Sequence, residues 1–325
     1  MINNTRPTFY ILLGLTDDAN WQIVLFLFLF ITYIFSILGN LIIITLTLLD
    51  SHLKTPMYFF LRNFSLLEIA MTSTCIPRFL FSLATKDNTI TYNTCATQLF
   101  LYIVFGAAEF FLLAAMSFDL YVAICKPLPY ATIMSSKVCS RLVFSSCLSA
   151  LLEVFPGFNM GLQLDFCAGS VIDHFVCDYG PVLQLSCTDT KHIELFCFTL
   201  ALVTILVTLM LVFISYIRII GTILKFSTAQ KRKRAFSTCS SHMIVLVIAY
   251  GSCIYVYVKP NAQERMDLNK GVAVLTVQLP PLLNPFIYTL RNKQGKQAFI
   301  DNKKKNGFFP IKYIPLSAKK NNENS

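Results

Sequence analysis

Seven long apolar runs divide this chain, and six of them carry one charged residue or none. About 20 apolar residues, at 1.5 Å rise per residue, cross the roughly 30 Å hydrocarbon core of a bilayer as a helix. The second run is the most polar, because it contains Arg62, Glu68 and Arg78. The runs are Trp21–Leu49, Met57–Leu83, Thr89–Phe118, Leu142–Leu164, Leu195–Ile217, Ala235–Val258 and Gly271–Leu290. We therefore predict an all-α membrane protein, folded as a bundle of seven transmembrane helices.

The composition excludes most soluble classes of protein. Only 14% of the 325 residues are charged and 55% are hydrophobic, whereas a soluble globular protein has about 25% charged residues. The net charge of +10 does not indicate nucleic-acid binding, since the sequence has no soluble basic module with a groove-reading element. The aromatic content of 14% excludes intrinsic disorder. No nucleophile motif or pair of catalytic carboxylates is present, so we expect no enzymatic activity.

The distribution of basic residues predicts the orientation in the membrane. With the N-terminus outside, the external segments hold seven of the 27 Lys and Arg residues and the internal segments hold 20. Because cytoplasmic loops carry the excess of Lys and Arg, we expect an external N-terminus and a cytoplasmic C-terminus. The expected parts are an extracellular segment (1–20), the helix bundle (21–290), a short amphipathic cytoplasmic helix (291–300) and a disordered cytoplasmic tail (301–325). Asn3, which begins an Asn-x-Thr sequence, is then a candidate glycosylation site.

Four of the 11 cysteines fall on the predicted outer side. Cys95 lies at the outer start of the third helix, and Cys167, Cys177 and Cys187 lie in the loop between the fourth and fifth helices. Cysteines that face an oxidising compartment form disulfides. The even spacing of the loop trio suggests that Cys177 pairs with Cys95 and that Cys167 pairs with Cys187. Composition alone leaves all three connectivities of four cysteines open.

Four long motifs occur in order along these runs. They are Pro56–Leu61 (PMYFFL), Val122–Leu128 (VAICKPL), Ala235–His242 (AFSTCSSH) and Pro281–Asn292 (PLLNPFIYTLRN). With this set, the chain resembles the olfactory receptors, a branch of the rhodopsin-like G-protein-coupled receptors, from about Thr8 to Phe299. The segments Leu53–Thr55, Leu164–Cys167 and Ile172–Phe175 are most similar to family 6, subfamily C.

The resemblance implies a plasma-membrane receptor that binds a small volatile odorant inside the bundle. It further implies signalling through a stimulatory G protein, which raises cyclic AMP. One alternative is a folded receptor that binds ligand but couples poorly. Another is a transporter or channel, which the odd number of runs and the lack of an internal repeat disfavour.

The ligand site is predicted where the upper halves of the third, fifth and sixth helices face one another. Inward positions recur at steps of three and four residues. The candidates are Tyr102, Phe105, Gly106 and Glu109 on the third helix, Thr204 on the fifth, and Tyr250, Cys253, Ile254 and Tyr257 on the sixth. Such a pocket is apolar with a few hydroxyl groups, which suits a small volatile molecule. Tyr250 matches the family's switch position in the sixth helix.

The resemblance also implies the residues that transmit the signal. They are Asp119, Leu120, Tyr121, Tyr216, His242, Asn284, Pro285 and Tyr288. Pro285 removes a backbone hydrogen bond and so loosens the seventh helix, where neighbouring polar groups can satisfy the freed carbonyl. In the family, Tyr216 and Tyr288 swing toward the core on activation.

The chain departs from the family at position 120. The family reads Asp-Arg-Tyr where this chain reads Asp119-Leu120-Tyr121. The family's arginine pairs with the aspartate in the silent receptor and reaches the G protein in the active one. Since leucine can do neither, we expect the loss of a charge-assisted hydrogen bond and of the main internal contact for coupling.

Two carboxylates, Glu68 and Glu109, lie within apolar runs with no Lys or Arg at similar depth. An intramembrane charge costs several kcal/mol unless it is neutralised or paired. The resemblance favours a sodium ion held by these two residues in the inactive state. A protonated and merely structural pair is the alternative.

A basic cluster precedes the sixth helix and consists of Lys225, Lys231, Arg232, Lys233 and Arg234. On the cytoplasmic side, each such residue contributes roughly 1 kcal/mol of attraction to anionic lipid. The same cluster can frame the G-protein site. We therefore expect membrane lipid and a G protein as partners.

Overall fold

A computed structural model of the chain describes residues 8–50, 53–166, 169–258 and 266–291. Seven long helices run through these residues. They are α1 (Ala19–Leu49), α2 (Pro56–Thr85), α3 (Tyr92–Cys125), α5 (Ser136–Leu162), α7 (Lys191–Leu224), α8 (Ala229–Val258) and α9 (Met266–Arg291), with the short helices α4 (Tyr130–Ile133) and α6 (Tyr179–Leu183) in loops. Six are long and apolar enough to cross a membrane, and α9 packs against α1, α2 and α8. The predicted seven-helix bundle is confirmed, while its orientation stays a prediction.

Most helices extend beyond the apolar runs, because charge-free sequence marks only the part that crosses the hydrocarbon. The caps follow local chemistry. Asp18 accepts a hydrogen bond from the backbone N–H of Asn20 at 2.8 Å at the start of α1, and Pro56 occupies the first turn of α2, where a missing N–H costs nothing. Lys86 ends α2 in the left-handed conformation, with φ of 62°.

A small sheet covers one end of the bundle and was not predicted. It contains β1 (Phe9–Leu12), β2 (Thr89–Thr91) and β3 (Val171–Ile172), in the order β2-β1-β3. Strand β1 is antiparallel to β2 and parallel to β3. The third apolar run therefore begins as a strand, and α3 begins only at Tyr92. Strands of two to four residues are too short to show the alternation that identifies a strand in sequence.

The bundle is apolar outside and partly polar inside. Large apolar side chains such as Trp21, Phe144 and Phe213 are 64–68% exposed, which is the surface that lipid requires. Inside, hydroxyl and amide groups satisfy one another across helices. For example, Gln278 on α9 donates to the Thr32 hydroxyl on α1 at 2.8 Å. Such interhelical hydrogen bonds replace hydrophobic segregation as the source of specific packing in a membrane.

Several predictions fall on residues outside the described ranges. They are the glycosylation site Asn3, residues 292–300 of the predicted helix 291–300, the tail 301–325 and the cysteine Cys167. Arg291 itself is the last residue of α9. The side chains of Tyr257 and Tyr288 are also outside the description, although both residues lie in described helices.

Candidate functional site

A disulfide marks the end of the bundle that carries the sheet, here called the disulfide end. It joins Cys95 on α3 to Cys177 in the loop before α6, with the Cα atoms 5.5 Å apart, and this is the pairing predicted from spacing. Gln98, one turn along α3, accepts a hydrogen bond from the Cys177 N–H at 3.0 Å and donates to the Thr74 carbonyl on α2 at 2.9 Å. Cys187 is disulfide-bonded as well.

The loop at the disulfide end is also tied to α9 by an ion pair. Asp173, which follows β3, accepts from the Lys270 ammonium group. The next residue, His174, is 8% exposed, and its ring stacks on Phe175 with centroids 4.6 Å apart. Burial lowers the pKa of the His174 imidazole, and this effect exceeds the opposing influence of the nearby Asp178 carboxylate.

The predicted ligand residues on α3 and α8 occupy two environments. Tyr102 and Phe105 pack against a cluster formed mainly by α2 and α9. Tyr250 is 4% exposed, and its ring meets Phe110 edge-on at a centroid distance of 5.0 Å. The sequence analysis missed Phe110, which falls one residue outside the 102-105-106-109 series.

The remaining predicted ligand residues differ in what surrounds them. A side chain at Gly106 would meet no atom within 4 Å, so this position borders open space. Cys253 packs against the central apolar cluster, whereas Ile254 is 43% exposed. Thr204 donates a hydrogen bond to the Glu153 carboxyl on α5 at 2.8 Å.

A separate small cavity lies beside the disulfide, between α3, α5 and α6. Its volume is about 30 Å³, and its walls include Leu99, Phe158 and Tyr179. This is enough for about one water molecule. None of the predicted ligand residues lines it.

Glu68 and Glu109, the two predicted intramembrane carboxylates, influence each other electrostatically. Glu68 is completely buried, interacts electrostatically with Glu109, and accepts a hydrogen bond from the amide of Asn284. Within the described residues, four buried oxygens here have no hydrogen-bond partner: Glu68 Oε2, Glu109 Oε1, Asn40 Oδ1 and Asn284 Oδ1. Carboxylate and amide oxygens are the donors that a hard cation such as sodium accepts.

The first helix supplies a hydrogen-bond donor to the backbone carbonyl that Pro285 leaves without one. Because proline has no N–H, the carbonyl of Pro281, four residues earlier, loses its helical partner. The Asn40 side chain supplies one, donating to the Pro281 oxygen at 3.0 Å. The preceding Gly39 permits this approach, since a Cβ there would lie only 3.0 Å from the Pro285 ring. Gly39 and Asn40 together therefore allow α1 to donate a hydrogen bond to the interrupted part of α9.

At the opposite end of the bundle, the Asp-Leu-Tyr segment has an apolar and a polar part. Leu120 is 7% exposed and belongs to the central cluster that contains Ile219 and Ile223 of α7. Asp119 is 3% exposed and accepts a hydrogen bond from the Tyr130 hydroxyl at 2.9 Å. The sequence analysis missed Tyr130, since a link between the third helix and a loop tyrosine leaves no periodic signal.

A second polar pair links α7 and α8 near the same end. The Tyr216 hydroxyl lies 3.0 Å from Nδ1 of His242 and donates to the Cys239 carbonyl at 3.1 Å. The two rings are nearly parallel. Tyr121 instead packs beside Phe118, with the Lys126 ammonium 6.0 Å from its ring centre.

Comparison with known proteins finds one family model and many relatives. A model described as olfactory receptor matches residues 29–303. Human olfactory receptor 6C6 is 62% identical over 94% of this chain and 98% of its own length. Human olfactory receptor 6C2 is 58% identical over 96% of this chain and 100% of its own. Among solved structures, squid rhodopsin superposes with a TM-score of 0.65 at 15% identity, covering 88% of this chain and 86% of that one.

Proposed function

The chain belongs to the olfactory receptor family, and from this we propose that it binds a small volatile odorant within the bundle and signals through a stimulatory G protein. It is a multi-pass protein of the plasma membrane. We further propose that the disulfide end is extracellular, in line with the excess of basic residues on the other side.

The observation that carries this proposal is the placement of two contacts on one helix. Toward the disulfide end of α8, Tyr250 contacts Phe110 on α3. Eight residues earlier on α8, His242 lies against Tyr216. At 1.5 Å per residue, these contacts are about 12 Å apart. A ligand that displaces Tyr250 would therefore move the helix whose other half holds the Tyr216 contact.

A second candidate function, a receptor with impaired coupling, is supported by the surroundings of Leu120. This side chain is buried in the central apolar cluster, and the Asp119 carboxyl next to it accepts a hydrogen bond from Tyr130. We therefore propose that the activation contact normally made by arginine is weakened here.

The test is a cyclic AMP reporter that compares the chain with its Leu120→Arg variant at matched surface expression. We expect odorants to elicit a larger response from the variant. Equal responses would contradict impaired coupling. A complete lack of response from both proteins to a broad odorant library would contradict the receptor function.

We also propose that Glu68 and Glu109 bind a sodium ion. The unpartnered oxygens of these residues, Asn40 and Asn284 support the proposal. In the described ranges, no group of three or more His, Cys, Asp or Glu side chains forms a metal site, so amide oxygens would have to complete the coordination. Sodium should raise the melting temperature of the receptor relative to choline at equal ionic strength, and Glu109→Gln should remove this difference. An equal melting temperature in both salts would favour the protonated pair.

A further inference from the structure

Glu153 is the third carboxylate within the apolar runs, and its surroundings differ from those of the other two. It lies on α5, where the adjacent Val154 is buried, while Leu152 and Phe155 are 64% and 57% exposed to the lipid side. Glu153 itself is half-buried. It therefore stands at the edge of the inward face of α5. An ionisable group at this depth marks a functional site by default, because it is costly to keep in a membrane.

The partner of Glu153 places it beside the proposed ligand site. The Thr204 hydroxyl on α7 donates to Glu153 Oε2 at 2.8 Å. One turn further along α7, Thr208 is buried and lies close to the Tyr250 hydroxyl on α8. Thr204 and Thr208 thus place two hydroxyl groups on α7 between Glu153 on α5 and Tyr250 on α8.

Glu153 and Tyr250 differ in depth by about one helical turn. Thr204, the partner of Glu153, precedes Thr208, which lies close to Tyr250, by four residues on α7, or about 6 Å. A small ligand that contacts Tyr250 and extends one turn toward the disulfide end would therefore reach the Glu153 carboxyl.

The carboxyl retains capacity to bind a ligand. Thr204 bonds to one of its oxygens, and no other hydrogen bond to Glu153 occurs in the described part of the chain. The ion pair found there, Lys270 with Asp173, is at the end of the bundle rather than at this depth. The charged residues in the apolar runs around this site, Glu109 and Glu153, are both carboxylates. They would attract a ligand ammonium group and repel a ligand carboxylate.

We infer that Glu153 is a specificity-determining residue, which makes the receptor prefer small ligands with a protonated primary amine over carboxylic acids of the same length. The inference rests on the proposed odorant-binding function and names its ligand class. Thr204 acts as a positioning residue that fixes one carboxyl oxygen. The other oxygen then accepts an N–H of the ligand.

The experiment measures ligand-induced thermal stabilisation of the purified full-length receptor, because this readout does not depend on coupling at Leu120. Stabilisation follows from binding to the folded state alone and yields an apparent Kd. The probes are a straight-chain primary amine, alcohol and carboxylic acid of equal carbon number. For the natural chain, we expect the amine to bind most tightly and the acid most weakly.

Glu153→Gln removes the charge but keeps the shape, and should weaken amine binding by about 10- to 100-fold, the usual range for a hydrogen bond to a charged group. Alcohol binding should change by less than about threefold. Glu153→Asp keeps the charge and should retain the amine preference. It tests the inference even if the Gln variant folds poorly. Thr204→Val, which removes the positioning hydrogen bond but leaves the carboxyl, should weaken amine binding by less than Glu153→Gln does. The control is Glu194→Gln, which removes a carboxylate from the exposed first turn of α7 and should leave the amine and alcohol affinities unchanged.

Three results would overturn the inference. They are unchanged amine affinity in folded Glu153→Gln, equal affinities of the natural chain for amine and acid, and loss of the amine preference in folded Glu153→Asp. These failures differ from a failure of the proposed function, in which no probe and no odorant of any class would bind.

Discussion

The hydrogen bond between Tyr130 and Asp119 should be important for stability in this chain because arginine is missing at position 120. Asp119 is 3% exposed, and the Tyr130 hydroxyl donates to it at 2.9 Å. Tyr130→Phe would delete this donor and leave a buried carboxyl oxygen unsatisfied. Removing one partner of a buried acceptor costs about 1–3 kcal/mol, and more for a charged group.

A double-mutant cycle with Leu120→Arg measures how the two positions are linked. A guanidinium group next to Asp119 would supply other donors, so Tyr130→Phe should cost at least about 1 kcal/mol less in the Leu120→Arg background. The assay is equilibrium unfolding of the purified receptor in detergent. Tyr121→Phe is the matched control, since its hydroxyl makes no hydrogen bond within the described residues, and it should change stability by less than about 0.5 kcal/mol.

The reasoning would be refuted by either of two measurements. One is a cost of Tyr130→Phe no larger than that of the Tyr121→Phe control. The other is an equal cost of Tyr130→Phe with leucine and with arginine at position 120, because the aspartate would then not depend on the loop tyrosine for its hydrogen bond.

Three further predictions concern the disulfide end. Gly157→Ala should destabilise the receptor by about 1–3 kcal/mol, because the added Cβ would overlap with Cys197 Sγ. The control is Gly161→Ala, which should be nearly neutral because the atom nearest to its Cβ is 3.8 Å away. Thermal unfolding compares the two variants. Burial lowers the pKa of His174 from its ordinary value, so the unfolded chain binds more protons than the folded protein as the pH falls. The melting temperature should therefore fall from about pH 6.5 downward, with less change in His174→Gln. Reduction of the disulfide, which spans 82 residues, should cost about 2–5 kcal/mol, measured by unfolding with and without reductant.

The sequence predicted what depends on long or repeated patterns. Apolar runs with few or no charges located the seven helices, because hydrocarbon disfavours charge over a fixed length. The Pro285 hinge was predicted with its requirement for a polar neighbour, but its donor, Asn40, became clear only from the packing of α1 against α9. The family resemblance showed that position 120 departs from the family motif, because a motif records which residues occur at each position. It could not reveal Tyr130, because a motif does not record which loop residue contacts the helix.

The polar contacts between distant helices could not be derived in this way. Glu153 had no role in the sequence analysis, and Thr204 was selected only for its place on an inward face. Their hydrogen bond depends on the rotation of α5 against α7, which is set by side-chain packing over the whole interface. Periodicity gives the face of a helix to within one or two residues, and this is too coarse to pair two particular side chains.

The sheet at the disulfide end has a consequence for the order in which the receptor is assembled. Strand β1 leaves the ribosome before α1, and its antiparallel partner β2 follows after α1 and α2. Its parallel partner β3 follows only after α3 and α5 as well, since Ile11 pairs with Val171. Until β3 is made, Leu12, which is almost fully buried in the finished protein, lacks its partner Ile172. Such long-range pairing forms late and leaves apolar surface available for aggregation. The three-stranded sheet is therefore complete only once most of the membrane domain exists.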